Sequence, residues 1–178
     1  MRQDFLSESS ILALRGLLGL TIHTIFAPNL DAAGAHLAAW KLSMLLKKDL
    51  FVNFSCKWSE TPLYLNDSWL IEVAPSTEPI GILRNASGAL VEPCTISMYK
   101  AQPIRKIELF EYRYDLDEGT EESVHYDRAI VFRCAEERSF CISCMMNGPG
   151  TANYLHFSED NGVIQEMVDE STIRLVVE

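Results

Sequence analysis

Cys141-Ile-Ser-Cys144 is the sharpest short motif in the chain. A redox C-x-x-C pair sits at a helix N-terminus, where the dipole stabilises a thiolate, and a zinc pair of that spacing sits on a tight knuckle. Residues 139–145 instead alternate as a strand does. Two sulfurs three positions apart then point to opposite faces, where they can share neither one ion nor one bond. Adding Cys134 and His156 gives four potential ligands, but in the spacing of no common zinc module, so neither metal nor cofactor is expected. The full set of cysteines is Cys56, Cys94, Cys134, Cys141 and Cys144. An odd number, in a chain long enough to fold without staples, reads as reduced thiols in a reducing compartment.

The remaining chemistry is sparse. None of His23, His36, His125 and His156 has metal-ligand spacing, no serine lies in G-x-S-x-G, and no glycine run matches a phosphate-binding loop. His125 adjoins Tyr126 and Asp127, the pairing of a general base with a carboxylate that could orient it. A histidine on a strand beside a loop more often serves structure, and no catalytic residue is assigned. Gly148-Pro149-Gly150-Thr151 would offer backbone N–H groups to an anion if a helical turn began at Thr151, and serves equally as a chain reversal.

Residues 115–122 carry five carboxylates in eight positions, without the residue order of a calcium loop. Tyr112, Tyr114 and Tyr126 flank them. Tyrosines within a rim of acids compose an anchor with electrostatic steering, so Tyr112, Tyr114, Asp115, Asp117, Glu118, Glu121, Glu122 and Tyr126 are the expected partner-binding residues. The charge of the whole chain agrees. Residues 1–89 hold 8 acids and 7 bases while residues 90–178 hold 17 and 8, so nearly all of the net charge of -10 lies in the second half. Such a surface repels nucleic acid and anionic lipid and favours a basic protein partner.

Elements that could position these residues follow from periodicity. Ser7 to Ser10 supply capping hydroxyls for a short helix whose Ile11, Leu14, Leu17 and Leu18 fall at helical spacing, ending near Gly16 or Gly19. Residues 20–26 alternate as a strand. Residues 31–49 are ambiguous between helix and strand, but the clear alternation of residues 50–58 after a polar turn favours a hairpin. Further strands are expected at 69–73, 81–84, 104–114, 124–134, 139–145 and 172–177. Ser158 opens a short helix with Val163, Ile164, Met167 and Val168 on its inner side. The expected fold is α+β: a mainly antiparallel, strongly curved sheet, a meander or partly open barrel, with a short N-terminal helix and a short C-terminal helix. Residues 1–178 form one expected domain, since 178 residues suffice for a single core.

Residues 11–27 are apolar enough to imitate a signal peptide. Asp4 and Glu8 stand where positive charge belongs and Arg15 interrupts the run, at a cost to a membrane helix of about 2.5–3.5 kcal/mol, so a cytoplasmic protein is expected. In size, acidity and expected architecture the chain resembles bacterial toxin-immunity proteins, a likeness of character with no motif behind it. That resemblance implies that the carboxylates of residues 111–122 and the C-terminal helix face a cationic cleft on a toxin, with steered association. The expected function is thus a non-enzymatic protein-binding module. The alternatives are an enzyme or small-ligand binder with a site assembled in the mouth of the curved sheet, and an oligomer joined through sheet edges.

Overall fold

The computed structural model describes residues 2–33, 36–47, 50–59, 68–115, 123–145 and 154–178. After a short strand β1 (Arg2–Asp4), helix α1 spans Glu8–Arg15, with Ser7 as its N-cap. Of the expected capping hydroxyls Ser7 to Ser10, it is Ser7 Oγ that accepts the Ser10 N–H, at 3.2 Å, and satisfies a donor that the first turn would otherwise leave open. Glu8 in the first turn and Arg15 in the last complement the helix dipole. Leu14 and Leu17 are fully buried. Gly19, with φ of +77°, takes the left-handed conformation that glycine adopts without strain, and its N–H donates to the Ile104 carbonyl at 2.8 Å.

The strands that follow are β2 (Thr24–Ala27), β3 (Asp31–Ala33), β4 (His36–Ala39), β5 (Lys41–Lys47), β6 (Leu50–Ser59), β7 (Ser68–Ser76) and β8 (Cys94–Ser97). Then come β9 (Ile104–Asp115), β10 (Ser123–Cys134), β11 (Ser139–Met145), β12 (Tyr154–Ser158), helix α2 (Asn161–Met167) and β13 (Thr172–Val177). They form two sheets. One has the order β13-β9-β10-β11-β12-β4-β3, with β1 added parallel to β10, and the other the order β7-β6-β5-β2-β8. Apart from β1 every strand pairing is antiparallel.

The expectation of a mainly antiparallel α+β chain with two short helices holds, but the strongly curved single sheet does not. Neither sheet closes on itself; each buries one face against the other, which removes the need to curl. Leu109, Ile130, Phe132 and Ile142 of the larger sheet meet Ile25, Leu42, Met44, Val52 and Phe54 of the smaller, all fully buried. Phe132 stacks on Phe140 at 4.4 Å between centroids and meets Phe54 edge-on at 6.3 Å. On the outer face of the larger sheet, α2 lays Val163, Ile164, Met167 and Val168 over Phe110, Ala129, Val131 and Cys141.

The expected hairpin is present, and several other local expectations are corrected. The ambiguous stretch 31–49 contains β3, β4 and β5, and the hairpin β5–β6 is present, since pairing with β6 outweighs the helix preference of alanine and leucine. The alternation of residues 50–58 puts Phe51 on the face of β6 opposite Val52 and Phe54, yet it is 3% exposed and meets Phe26 edge-on at 6.3 Å. Residues 81–84 form no strand, only an isolated Arg84–Leu90 bridge. The strand expected at 69–73 runs on through Pro75, a residue without an N–H that is tolerated on a strand at the end of its sheet. Asp160, not Ser158, caps α2: its Oδ1 accepts the Val163 N–H at 3.0 Å, while Ser158 Oγ accepts the N–H of Asp160.

The thiols need the largest correction. Cys56 of β6 and Cys144 of β11 are joined as a disulfide across the two sheets, with Cα atoms 6.5 Å apart and a sequence separation of 88. Cys94, Cys134 and Cys141 are free thiols. Burial pushes the Cys141 thiol up to about 12 despite the opposing charge of Arg133, so it is inert as a nucleophile. Cys141 and Cys144 do point to opposite faces, one into the α2 cluster and the other into the inter-sheet core. The inference from an odd number of thiols to a reducing compartment loses its premise.

Two outcomes test this packing. Phe54→Ala and Ile130→Ala each remove a fully buried side chain from the inter-sheet core and should cost about 2–5 kcal/mol in urea unfolding; a loss below about 0.5 kcal/mol would place that residue outside the core. Reducing the Cys56–Cys144 bond frees a loop of 88 residues in the unfolded chain and should lower stability by about 2–5 kcal/mol, read as a shift of the urea midpoint with reductant that is absent in Cys56→Ser.

Candidate functional site

The hairpin of β9 and β10 is longer than its neighbours. β13 accompanies β9 only as far as Glu111, and β11 accompanies β10 only along Ala129–Arg133, so the end of the hairpin, residues 112–115 and 123–126, has β1 as its one strand neighbour among the described residues. Of the expected partner-binding residues, Asp117, Glu118, Glu121 and Glu122 lie outside the described residues. Tyr114 and Asp115 belong to β9, where their backbones stand opposite Val124 and Ser123. Tyr112 and Tyr126 are brought together as a cross-strand pair, ring centroids 5.9 Å apart and edge to face. The Arg128 guanidinium lies 4.7 Å over the Tyr112 ring, and Arg128 also donates to the Asp169 carbonyl at 3.2 Å. Both tyrosines are half-buried, which makes their pairing part of the sheet as well as of its surface.

The register explains what lies on the other face. Asp127 pairs with Glu111 while Ala129 pairs with Phe110, so Arg128 is an extra residue, a bulge. Paired residues share a face and Glu111 and Phe110 point to opposite faces, so the bulge reverses the alternation of β10. Ser123, His125 and Asp127 therefore stand on the face of Glu111, away from the α2 cluster that holds Ala129 and Val131.

On that face Glu111 Oε1 is in close contact with His125 Nδ1, and His125 Nε2 lies 3.3 Å from Ser123 Oγ. The carboxylate that orients His125 is thus Glu111, 14 residues away in sequence on the paired strand β9, and not the nearby Asp127. Asp127 is 2% exposed and fully engaged elsewhere. Its Oδ1 and Oδ2 accept Arg174 Nε and an Arg174 terminal nitrogen at 2.8 and 2.7 Å, and Oδ2 also accepts the Leu6 N–H at 2.7 Å. The Arg174 guanidinium in turn lies 4.3 Å over the Phe5 ring. The Ser–His spacing of two within a strand is a signal the sequence carries; the partner carboxylate depends on hairpin register, which it does not.

A second polar cluster lies beside α2. Glu108, 5% exposed, accepts Arg133 Nε and Lys106 Nζ, each at 2.7 Å, and Arg133 donates to Ser139 Oγ at 3.2 Å. Burial pushes the Glu108 carboxyl up, but the hydrogen bonds and charges of Lys106 and Arg133 outweigh it, holding it below the ordinary 4.5. Arg133 and Ser139 line a cleft of about 270 Å³ with α2. A larger cleft of about 570 Å³ runs between the start of α1 and β7. Among the described residues no three of His, Cys, Asp and Glu gather as metal ligands, and no helix is long and apolar enough to cross a membrane. The Gly148–Thr151 turn proposed for an anion lies outside the described residues. Comparison with protein-family models, with curated proteins and with solved structures finds no match to the chain.

Glu108 makes a pH prediction. A carboxyl held below its unfolded value stabilises the fold above that value and loses the contribution as pH falls through the folded one. Stability measured by urea unfolding should therefore fall as pH drops below about 4.5, and Glu108→Gln should flatten that acid limb; an acid limb unchanged by the substitution would remove Glu108 as its cause.

Proposed function

We propose that the chain is a protein-binding module that docks a basic partner at the end of the β9–β10 hairpin, in the manner of an immunity protein neutralising a toxin. The observation that carries this reading is a coincidence of charge and topology. The residues joining β9 to β10 include Asp117, Glu118, Glu121 and Glu122, and the strands they join are the ones that outrun their neighbours. A dense negative charge at such a place accelerates encounter with a cationic surface, and the Tyr112–Tyr126 pair beside it supplies rigid aromatic area at small entropic cost. The cross-sheet disulfide means that this proposal makes no use of a reducing cytoplasm.

Carboxylates packed along one connection also repel one another, a cost in stability that solvation relieves in part. Converting Asp117, Glu118, Glu121 and Glu122 to their amides should leave urea unfolding unimpaired. It should also slow association with the basic protein captured by the wild-type chain by about tenfold at low salt, with little effect at about 0.5 M salt, where the field is screened. An unchanged rate at low salt would reduce the acidic stretch to a solubilising surface. The runner-up reading, an enzyme with a site assembled across strands, is favoured by the contacts of His125.

A further inference from the structure

We infer that Ser123, His125 and Glu111 form a nucleophilic site that hydrolyses small activated carboxylic esters. The inference stands apart from the docking reading, because its residues occupy the face of the hairpin opposite Tyr112 and Tyr126.

A serine hydroxyl attacks only when a base removes its proton, and an imidazole acts as that base only when its free nitrogen faces the hydroxyl. Both conditions are built into the strands. Glu111 takes the Nδ1–H of His125, which leaves the lone pair on Nε2, and Nε2 is the atom 3.3 Å from Ser123 Oγ. The order nucleophile, base, orienting carboxylate is the one that recurs on unrelated folds and is recognised by geometry. Here it rests on paired strands: Ser123 and His125 are two positions apart on β10, and Glu111 reaches across from β9. Arg113, the register partner of His125, adds a cation on the same face.

Burial limits the substrate. Ser123 is 5% exposed, and the side chains of His125 and Glu111 are 14% and 20% exposed. Access so narrow excludes a folded polypeptide and leaves only a slim acyl group as a substrate. With so few donors for the oxyanion, the ester must carry a good leaving group.

The steps balance. Ser123 Oγ bonds to the acyl carbon as its proton passes to His125 Nε2. The ester C–O bond then breaks and the leaving alkoxide or phenoxide takes that proton. Water next gives a proton to Nε2 and its oxygen to the acyl carbon, the Oγ–carbon bond breaks, and the proton returns to Ser123. Glu111 exchanges no proton with substrate. It is a positioning residue that holds the imidazole and stabilises its cation.

The full-length protein should be tested with p-nitrophenyl acetate and with a small fluorophosphonate. One phosphonyl adduct on the peptide containing Ser123, found by mass spectrometry, is expected, together with ester cleavage that Ser123→Ala abolishes and Ser123→Cys retains. His125→Gln should slow both by about a hundredfold, and Glu111→Gln should slow them and displace the pH profile of labelling. Thermal unfolding of each variant shows that it is folded. Absence of an adduct at Ser123 in the folded wild-type chain, or ester cleavage equal in wild type and Ser123→Ala, would overturn the inference, and neither result bears on binding of a basic protein.

Discussion

The carboxylate of Asp127 fastens the segment before α1 and the last strand to β10, an interior strand of the larger sheet. Burying it costs several kcal/mol unless it is paired and hydrogen-bonded, so the fold around it is constrained to supply partners. They come from far apart in sequence: the Leu6 N–H, just before α1, and the guanidinium of Arg174 in the last strand. A bidentate guanidinium–carboxylate pair fixes direction as well as distance. Once it forms, β13 can lie only on one side of β9 and the N-terminal segment only beside β10. Leu6 then enters the inter-sheet core, and α1 follows onto β7, where Ser10 Oγ donates to the Val73 carbonyl at 2.7 Å.

The geometry that lets Asp127 and Arg174 meet is a pair of bulges. Arg128 is the extra residue of β10 and Arg174 that of β13, and the two flank β9 on either side at Phe110. Bulges bend a strand and redirect its side chains. Below the bulge, odd-numbered residues of β10 face α2; above it they face away. Without that reversal Ser123 and His125 would share the face of Val131, and no contact with Glu111 would be available. A single inserted residue therefore joins the anchoring of the termini to the composition of the candidate site.

This is also the boundary of what could be read from the sequence. The Ser7 cap, the meander of β9, β10 and β11, the extent of β13 and the inward residues of α2 depend on neighbours within a few positions, and periodicity carries them. The division into two sheets, the Cys56–Cys144 bond and the Asp127–Arg174 pair depend on which distant segments meet. For the site the division is sharper still. Strict alternation assigns Ser123, His125 and Asp127 correctly to one face and then suggests the wrong carboxylate for His125. The bulge at Arg128 is one residue in length and has no signature such as a glycine.

Polar groups on the inward side of a sheet need a reason to be there. The core between the sheets is apolar where β10 passes over the smaller sheet, at Ile130 and Phe132. On the inward side of the hairpin beyond it stand Glu111, His125, Ser123 and Asp127, with the exposed Arg113 on the same face and no apolar residue among them. Four polar side chains on one face would be a defect in a core, since each lost contact with water must be replaced. Here each has a partner, and the partners are each other, Arg174 and the backbone of Leu6. Such a network gains rigidity from being complete, because no member can turn without leaving another unsatisfied. The rigidity is greatest at the base of the hairpin, where Asp127 is fixed by three hydrogen bonds, and it is transmitted along paired strands to His125, two residues further on. A serine and a histidine held this way keep their mutual geometry without a substrate to order them, which is the arrangement that nucleophilic chemistry requires and simple solubility does not.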